Sequence, residues 1–152
     1  MRALTTRSAE ETVALGTRLG ARLFDGAVVC LAGDLGAGKS RLAEGIARGL
    51  GVEGPVHSPT FVIVAEYPEA RVPLRHADLY RLDRVAEARG VGIDERVGID
   101  GAWVVEWADR FPELWPDDRL DVRLSFVGGD RRVEAVATGP RHAALLGAFD
   151  AP

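Results

Sequence analysis

"VVCLAGDLGAGKSRLAEGIARGL", residues 28–50, decides the fold. Residues 27–32, "AVVCLA", form a nearly continuous apolar run, the pattern of a strand buried on both faces. A glycine-rich loop follows, then a stretch over 39–49 in which Leu42, Ile46 and Leu50 recur every four residues. That spacing predicts a helix, and Gly49 and Gly51 supply its stop. The loop itself, "GDLGAGKS", fits G-x-x-x-x-G-K-[ST] through Gly33, Gly38, Lys39 and Ser40. Such a loop between a buried strand and a helix suits a polyphosphate. Glycines let backbone N–H groups turn inward, and the helix start adds unpaired N–H groups and a favourable dipole. The residues predicted to cradle the nucleotide are Gly33, Asp34, Leu35, Gly36, Ala37, Gly38, Lys39, Ser40 and the adjoining Arg41. Lys39 can reach the β- and γ-phosphates, and the Ser40 hydroxyl can ligate Mg²⁺. Lys39 is also the single lysine of a chain with 19 Lys and Arg residues. A compact ammonium suits this role better than the rigid guanidinium fork.

A magnesium-dependent loop also needs acids. Asp78 follows the strand-like "VPLRHA", and Glu106 ends "AWVVE". A carboxylate at the C-terminal end of a strand faces the ligand crevice of an open α/β sheet. Asp78 is the expected Mg²⁺-linked acid; Glu106 either joins the metal shell or orients the attacking water. Between helix and Asp78 lies "HSPTF", 57–61, where Thr60 either offers its hydroxyl to Mg²⁺ or the γ-phosphate, or simply begins a strand. His76 shares a face with Asp78 if the strand is regular, as a site neighbour or as a core histidine. Trp103 reads as core; Trp107, beside Glu106, reads as core or as a stacking or docking ring. His57 and His142 have no partner nearby in the sequence.

The remaining segments describe an α/β protein. "SAEETVALGTRLGARLF" predicts a first helix, with Ser8 as N-cap and Glu11 completing a capping box. Gly16 and Gly20 weaken that helix unless they serve close packing. "SPTFVIVAEY" and "RVPLRHADLY" read as neighbouring antiparallel strands, with Pro73 pointing to an edge position or an early bulge. Residues 81–101 suggest one or two short helices among glycines. "RLDVRLSFVGGDRRVEAVATG" is a hairpin: Leu120, Val122, Leu124 and Phe126 alternate with polar residues, and Val133, Ala135 and Ala137 answer them. "PRHAALLGAF" is a last short helix. The expected architecture is a P-loop NTPase-like single domain spanning 1–152, with a mixed central sheet flanked by helices and an antiparallel C-terminal hairpin.

Composition narrows the function. The formal charge of −4 gives no basic surface for bare nucleic acid, although a local arginine patch over 71–96 remains a candidate. One cysteine, Cys30, excludes an intrachain disulfide or a Cys-rich metal site, and its apolar setting makes it core. No stretch has the ~18 apolar residues of a membrane helix, and the opening residues lack the apolar segment of a secretory signal. No membrane association is expected, and the expected compartment is cytoplasmic.

The ordered set "GDLGAGKS", "SPTF", "HADLYRL" and "VVEWAD" resembles the bacterial TsaE/YjeE family, the small P-loop ATPases of tRNA threonylcarbamoyladenosine biosynthesis. The resemblance runs from about Ser8 to the hairpin near 138. It implies ATP/ADP and Mg²⁺ as cofactors and weak intrinsic ATP hydrolysis. It also implies action with the TsaB and TsaD proteins of the threonylcarbamoyl-transferase complex, which modifies adenosine 37, with tRNA contacted through that complex. In the resemblance Lys39 and Ser40 match the phosphate and magnesium residues, and Asp78 the acid of the D-L-Y-R segment. Glu106 matches the acid of the E-W segment, Trp107 the aromatic after it, Thr60 the switch-like threonine, and Thr12 an N-terminal threonine near the nucleotide. Ser40-Arg41 departs from the family's usual Thr pair; it keeps the hydroxyl and changes the charge beside the phosphates. The loop "EARGVGIDERVG" departs from the usual acid-rich helix.

Two other classes compete. A small-molecule kinase needs an acceptor site and a lid, for which Arg81, Arg84 and Arg89 offer only a short basic segment. A nucleotide-sensing module needs binding without hydrolysis; the paired acids favour hydrolysis. Guanine-specific proteins read the base with Asn-Lys-x-Asp, and the one lysine is already in the loop, which favours ATP over GTP.

Overall fold

The structure is a computed structural model that describes residues 1–56 and 64–150. Seven strands make one sheet: β1 (Arg2–Thr6), β2 (Val28–Gly33), β3 (Val64–Tyr67), β4 (Leu74–Asp78), β5 (Ala102–Glu106), β6 (Leu120–Val127) and β7 (Asp130–Ala137). Their order is β1-β7-β6-β2-β5-β4-β3. The centre is parallel, with β2 pairing both β5 and β6, and β5 pairing β4. The margins are antiparallel, β3 on β4 and β1–β7 on β6.

Two long helices, α1 (Ala9–Gly20) and α2 (Lys39–Gly49), cover one face. Alternation along the strands sorts the core. Val29, Leu31, Leu74 and Val104 join Leu15, Leu19, Leu42 and Ile46 on the helical side. Val28, Cys30, Ala77, Trp103 and Val105 point the other way. There they meet α3 (Val85–Gly90), α4 (Ile93–Arg96) and the 3-10 turns Ala108–Arg110 and Pro112–Leu114. The chain ends in α5 (Pro140–Ala143) and a 3-10 segment, Ala144–Phe149, whose Leu145 and Phe149 join the helical side.

Several local expectations meet the structure directly. Ser8 caps α1, its Oγ accepting from the Glu11 N–H at 3.1 Å. The return bond shifts by one residue: Glu11 Oε1 accepts from the Arg7 N–H at 3.3 Å. Cys30 is buried core, and α3 and α4 are the short helices of 81–101. Two readings need correction. Pro73 marks neither an edge nor a bulge: it stands just before β4, which is interior, and its carbonyl accepts from the Ala102 N–H at 2.8 Å. The edge strand is β3. At the other margin, β1 was not legible from "RALTT", which has no clean alternation; its register against β7 is set by long-range pairing. Thr60, His57 and the "SPTF" segment lie outside the described residues.

Candidate functional site

The site forms where the C-terminal ends of β2, β4 and β5 meet the start of α2. Gly33 leaves β2 with φ 143°, and a Cβ there would sit 2.3 Å from the Leu124 carbonyl oxygen of β6. No other residue fits this approach. Gly38, at φ 107°, turns the chain into α2, and the Leu42 N–H donates to its carbonyl at 2.9 Å. A left-handed backbone of this kind favours glycine. The loop therefore leads into the first turn of α2, whose N-terminal N–H groups have no intrahelical acceptor.

Lys39 is buried at the base of the loop. Its Nζ donates to the carbonyls of Gly33 at 2.6 Å and Asp34 at 2.8 Å. The ammonium also lies 4.1 Å from the Trp107 ring centroid, a cation–π contact. Burial pulls its pKa below the ordinary lysine value, and the nearby Glu106, Asp109, Asp78 and Asp34 oppose that pull. Trp107 is the single described non-glycine residue at positive φ, 61°. It turns the chain out of β5 and brings its indole over Lys39, with Tyr80 packed against it at 5.0 Å. Trp107 is thus half-buried, packed against the second core while its ring faces the loop, whereas Trp103 is fully buried.

The two acids lie together. Asp78 and Glu106 are direct partners in the parallel β4–β5 ladder, so both face the α2 side at the same level. Glu106 Oε1 accepts from Ser40 Oγ at 3.0 Å. Its Oε2 lies 2.5 Å from His76 Nε2. Both Glu106 and His76 are only 2 % exposed. Asp78 is held by the Tyr80 N–H, which donates to Oδ1 at 3.0 Å. Burial raises the Asp78 carboxyl above the usual aspartate range, the Tyr80 bond resists this, and the Glu106 charge adds to it. One hydroxyl and two carboxylates supply the hard oxygen donors that Mg²⁺ takes, so the donor set fits that ion.

Lys39, Ser40, Arg41, Asp78, Glu106 and Trp107 line one hollow of about 270 Å³, with Leu35, Gly36, Gly38 and Tyr80. A second hollow of about 260 Å³ adjoins it across Gly36 and Gly38. Thr6, Ser8, Thr12, Arg41 and Arg131 face the second one. Thr12 is buried, its Oγ1 2.7 Å from the Thr6 hydroxyl. Arg131 has one readable signal. Because β6 runs parallel to β2, the tip of its hairpin must lie beside the loop at the end of β2. Tyr80 shares its signal with Asp78, two residues before it. A larger cavity of about 380 Å³ opens on the opposite sheet face against Cys30, Trp115 and Arg119, and holds none of the predicted site residues.

A strand, glycine-rich loop and helix with paired acids on neighbouring strands define a P-loop NTPase-like nucleotide-binding protein. The solved structure of Bacillus subtilis YdiB has the same fold, with a TM-score of 0.83 and 34% identity over 97% of this chain and 92% of that one. Residues 6–133 match the model of the family described as threonylcarbamoyl adenosine biosynthesis protein TsaE. The chain belongs to the TsaE family. Among its relatives, the Bacillus subtilis tRNA threonylcarbamoyladenosine biosynthesis protein TsaE is 39% identical over 92% of this chain and 88% of its own length. The Nostoc protein of that name is 40% identical over 82% and 79%, and the Mycobacterium tuberculosis one 40% over 86% and 83%.

Proposed function

We propose that this protein binds ATP with Mg²⁺ and hydrolyses it weakly, as an accessory ATPase of tRNA threonylcarbamoyladenosine biosynthesis in the cytoplasm. It works there as one domain over 1–152 with TsaB and TsaD, supporting the turnover of the threonylcarbamoyl-transferase complex. The observation that carries the reading is the convergence of Lys39, Ser40, Asp78 and Glu106 on one hollow beneath the glycine loop. The names of the relatives support the pathway.

In this reading the loop's backbone N–H groups bind the β-phosphate, and the nucleoside half extends toward the hollow lined by Thr12 and Arg131. Lys39 exchanges its two carbonyl partners for phosphate oxygens and offsets charge developing on the γ-phosphoryl group. Ser40 and Asp78 would hold Mg²⁺, with Glu106 beside them. When bound, that ion would neutralise charge developing on the phosphate oxygens. Asp78 and Glu106 place a water in line with the γ-phosphorus. The proposed contact of Thr60 with Mg²⁺ or the γ-phosphate falls outside the described residues.

Reconstitution with purified TsaB, TsaD, tRNA and pre-formed threonylcarbamoyl adenylate as donor tests this reading. ATP supports multiple rounds of modification, whereas a non-hydrolysable analogue supports at most one. Multiple rounds with the analogue reduce the protein to an ATP-sensing module. Phosphate transferred to a metabolite makes it a small-molecule kinase.

A further inference from the structure

We infer that His76 is a positioning residue for the metal site, acting through Glu106 on the hydroxyl of Ser40. The inference rests on the nucleotide and magnesium reading above and goes beyond it by assigning the buried imidazole. In the β4–β5 ladder His76 stands opposite Val104 and Asp78 opposite Glu106. His76 and Glu106 are therefore diagonal neighbours on one face, within reach for an imidazole. The Nε2–Oε2 separation is 2.5 Å, and the other carboxylate oxygen, Oε1, takes the Ser40 hydroxyl at 3.0 Å. Both side chains of the pair are 3 % exposed, so water does not substitute for either partner.

The chain of contacts has a directional consequence. A carboxylate only accepts hydrogen bonds, so Ser40 donates its proton to Glu106 and turns its oxygen lone pairs outward, toward the hollow that Asp78 also lines. A hydroxyl held this way is fixed in one orientation. Glu106 can hold it only if its own carboxylate plane is fixed. His76 fixes that plane by binding the oxygen that Ser40 does not use. Outer partners of this kind tune metal affinity through ligand orientation.

The test uses calorimetric titration of the full chain with ADP, in EDTA and across a Mg²⁺ series. His76→Ala should leave the metal-free ADP affinity within about twofold and raise the Mg²⁺ needed for half-maximal enhancement about tenfold or more. His76→Gln places an amide nitrogen at the same ε position and should restore most of the response. His76→Asn, too short to reach Glu106, should not. In a Glu106→Gln background, His76→Ala should add little. If His76→Ala proves unfolded by thermal melting, the Gln and Asn variants decide. A wild-type Mg²⁺ requirement in His76→Ala or His76→Asn overturns the inference. So does loss of metal-free and metal-dependent binding in equal measure, the mark of a merely structural histidine. Wild-type protein that gains nothing from Mg²⁺ overturns the nucleotide reading and this inference together, whereas a normal wild-type response with unaltered variants overturns this inference alone.

Discussion

Gly16 of α1 and Gly45 of α2 meet backbone to backbone. A Cβ on Gly16 would lie 2.4 Å from the Leu42 carbonyl oxygen, and one on Gly45 would lie 2.1 Å from that of Val13. Gly20 and Gly49 repeat the contact four residues further along, at 2.2 Å from the Ile46 oxygen and 2.3 Å from the Thr17 oxygen. The two glycine pairs set how closely α1 lies on α2, and α2 carries the phosphate loop.

Gly45→Ala therefore destabilises the protein. Helix propensity alone favours alanine by about 1 kcal/mol. Forcing a methyl against rigid backbone costs about 1–3 kcal/mol or more, and at this separation the helices must part. With overpacking at the upper end of that range set against the alanine gain, urea unfolding should show a net loss of about 2 kcal/mol. Gly90→Ala, where a Cβ meets nothing within 4 Å, should stay within about 0.5 kcal/mol. Equal stability of wild type and Gly45→Ala contradicts the close packing.

A second buried histidine makes stability depend on pH. His142 of α5 is 1 % exposed; its Nε2 accepts from the Val28 N–H at 3.0 Å, and its Nδ1 donates to Asp118 at 2.8 Å. Burial lowers its pKa below the ordinary 6.5, with Asp118 pulling in the opposite direction. The unfolded chain thus takes up the proton first on acidification. The contribution is fully present above pH 6.5 and is lost as pH falls through the lower folded value. Denaturant unfolding at pH 7.5 and 5.5 should show the wild type weaker at 5.5, with a smaller difference in His142→Gln. The same difference in both proteins removes His142 as the cause.

Asp78→Asn keeps the shape and the acceptor for the Tyr80 N–H but removes the charge. Nucleotide binding without metal should persist, and the Mg²⁺ enhancement of binding should fall by about tenfold or more. Calorimetry across a Mg²⁺ series measures it. An unchanged Mg²⁺ response removes Asp78 from the metal site.

Much of this site was legible because its residues are held by local rules. "GDLGAGKS" carries its own turn chemistry, a strand before it and a helix after it. The acids of β4 and β5 end apolar strands, so their place at the crevice followed from the parallel sheet. The histidines were less legible. His142 finds Asp118 through the chain's return to β2, and His76 finds Glu106 through a diagonal in a register that no single segment specifies. The backbone of Trp107 was not legible either, because its left-handed conformation, unusual for an indole, is imposed by the end of β5 rather than by its own preference. Gly16 and Gly20 were read as a weakness of α1 unless they served packing, and the facing pair on α2 supplies that packing.

The most direct measurement is calorimetric binding of ATP with Mg²⁺ to wild type and to Lys39→Ala. Lys39 should trade its contacts with Gly33 and Asp34 for phosphate oxygens, and charged hydrogen bonds of that kind contribute about 1.5–3 kcal/mol. The account predicts saturable one-site binding by the wild type and a loss of about ten- to a hundredfold in Lys39→Ala, with both proteins folded. Equal affinity in the two proteins, or a wild type that binds no ATP, would contradict it.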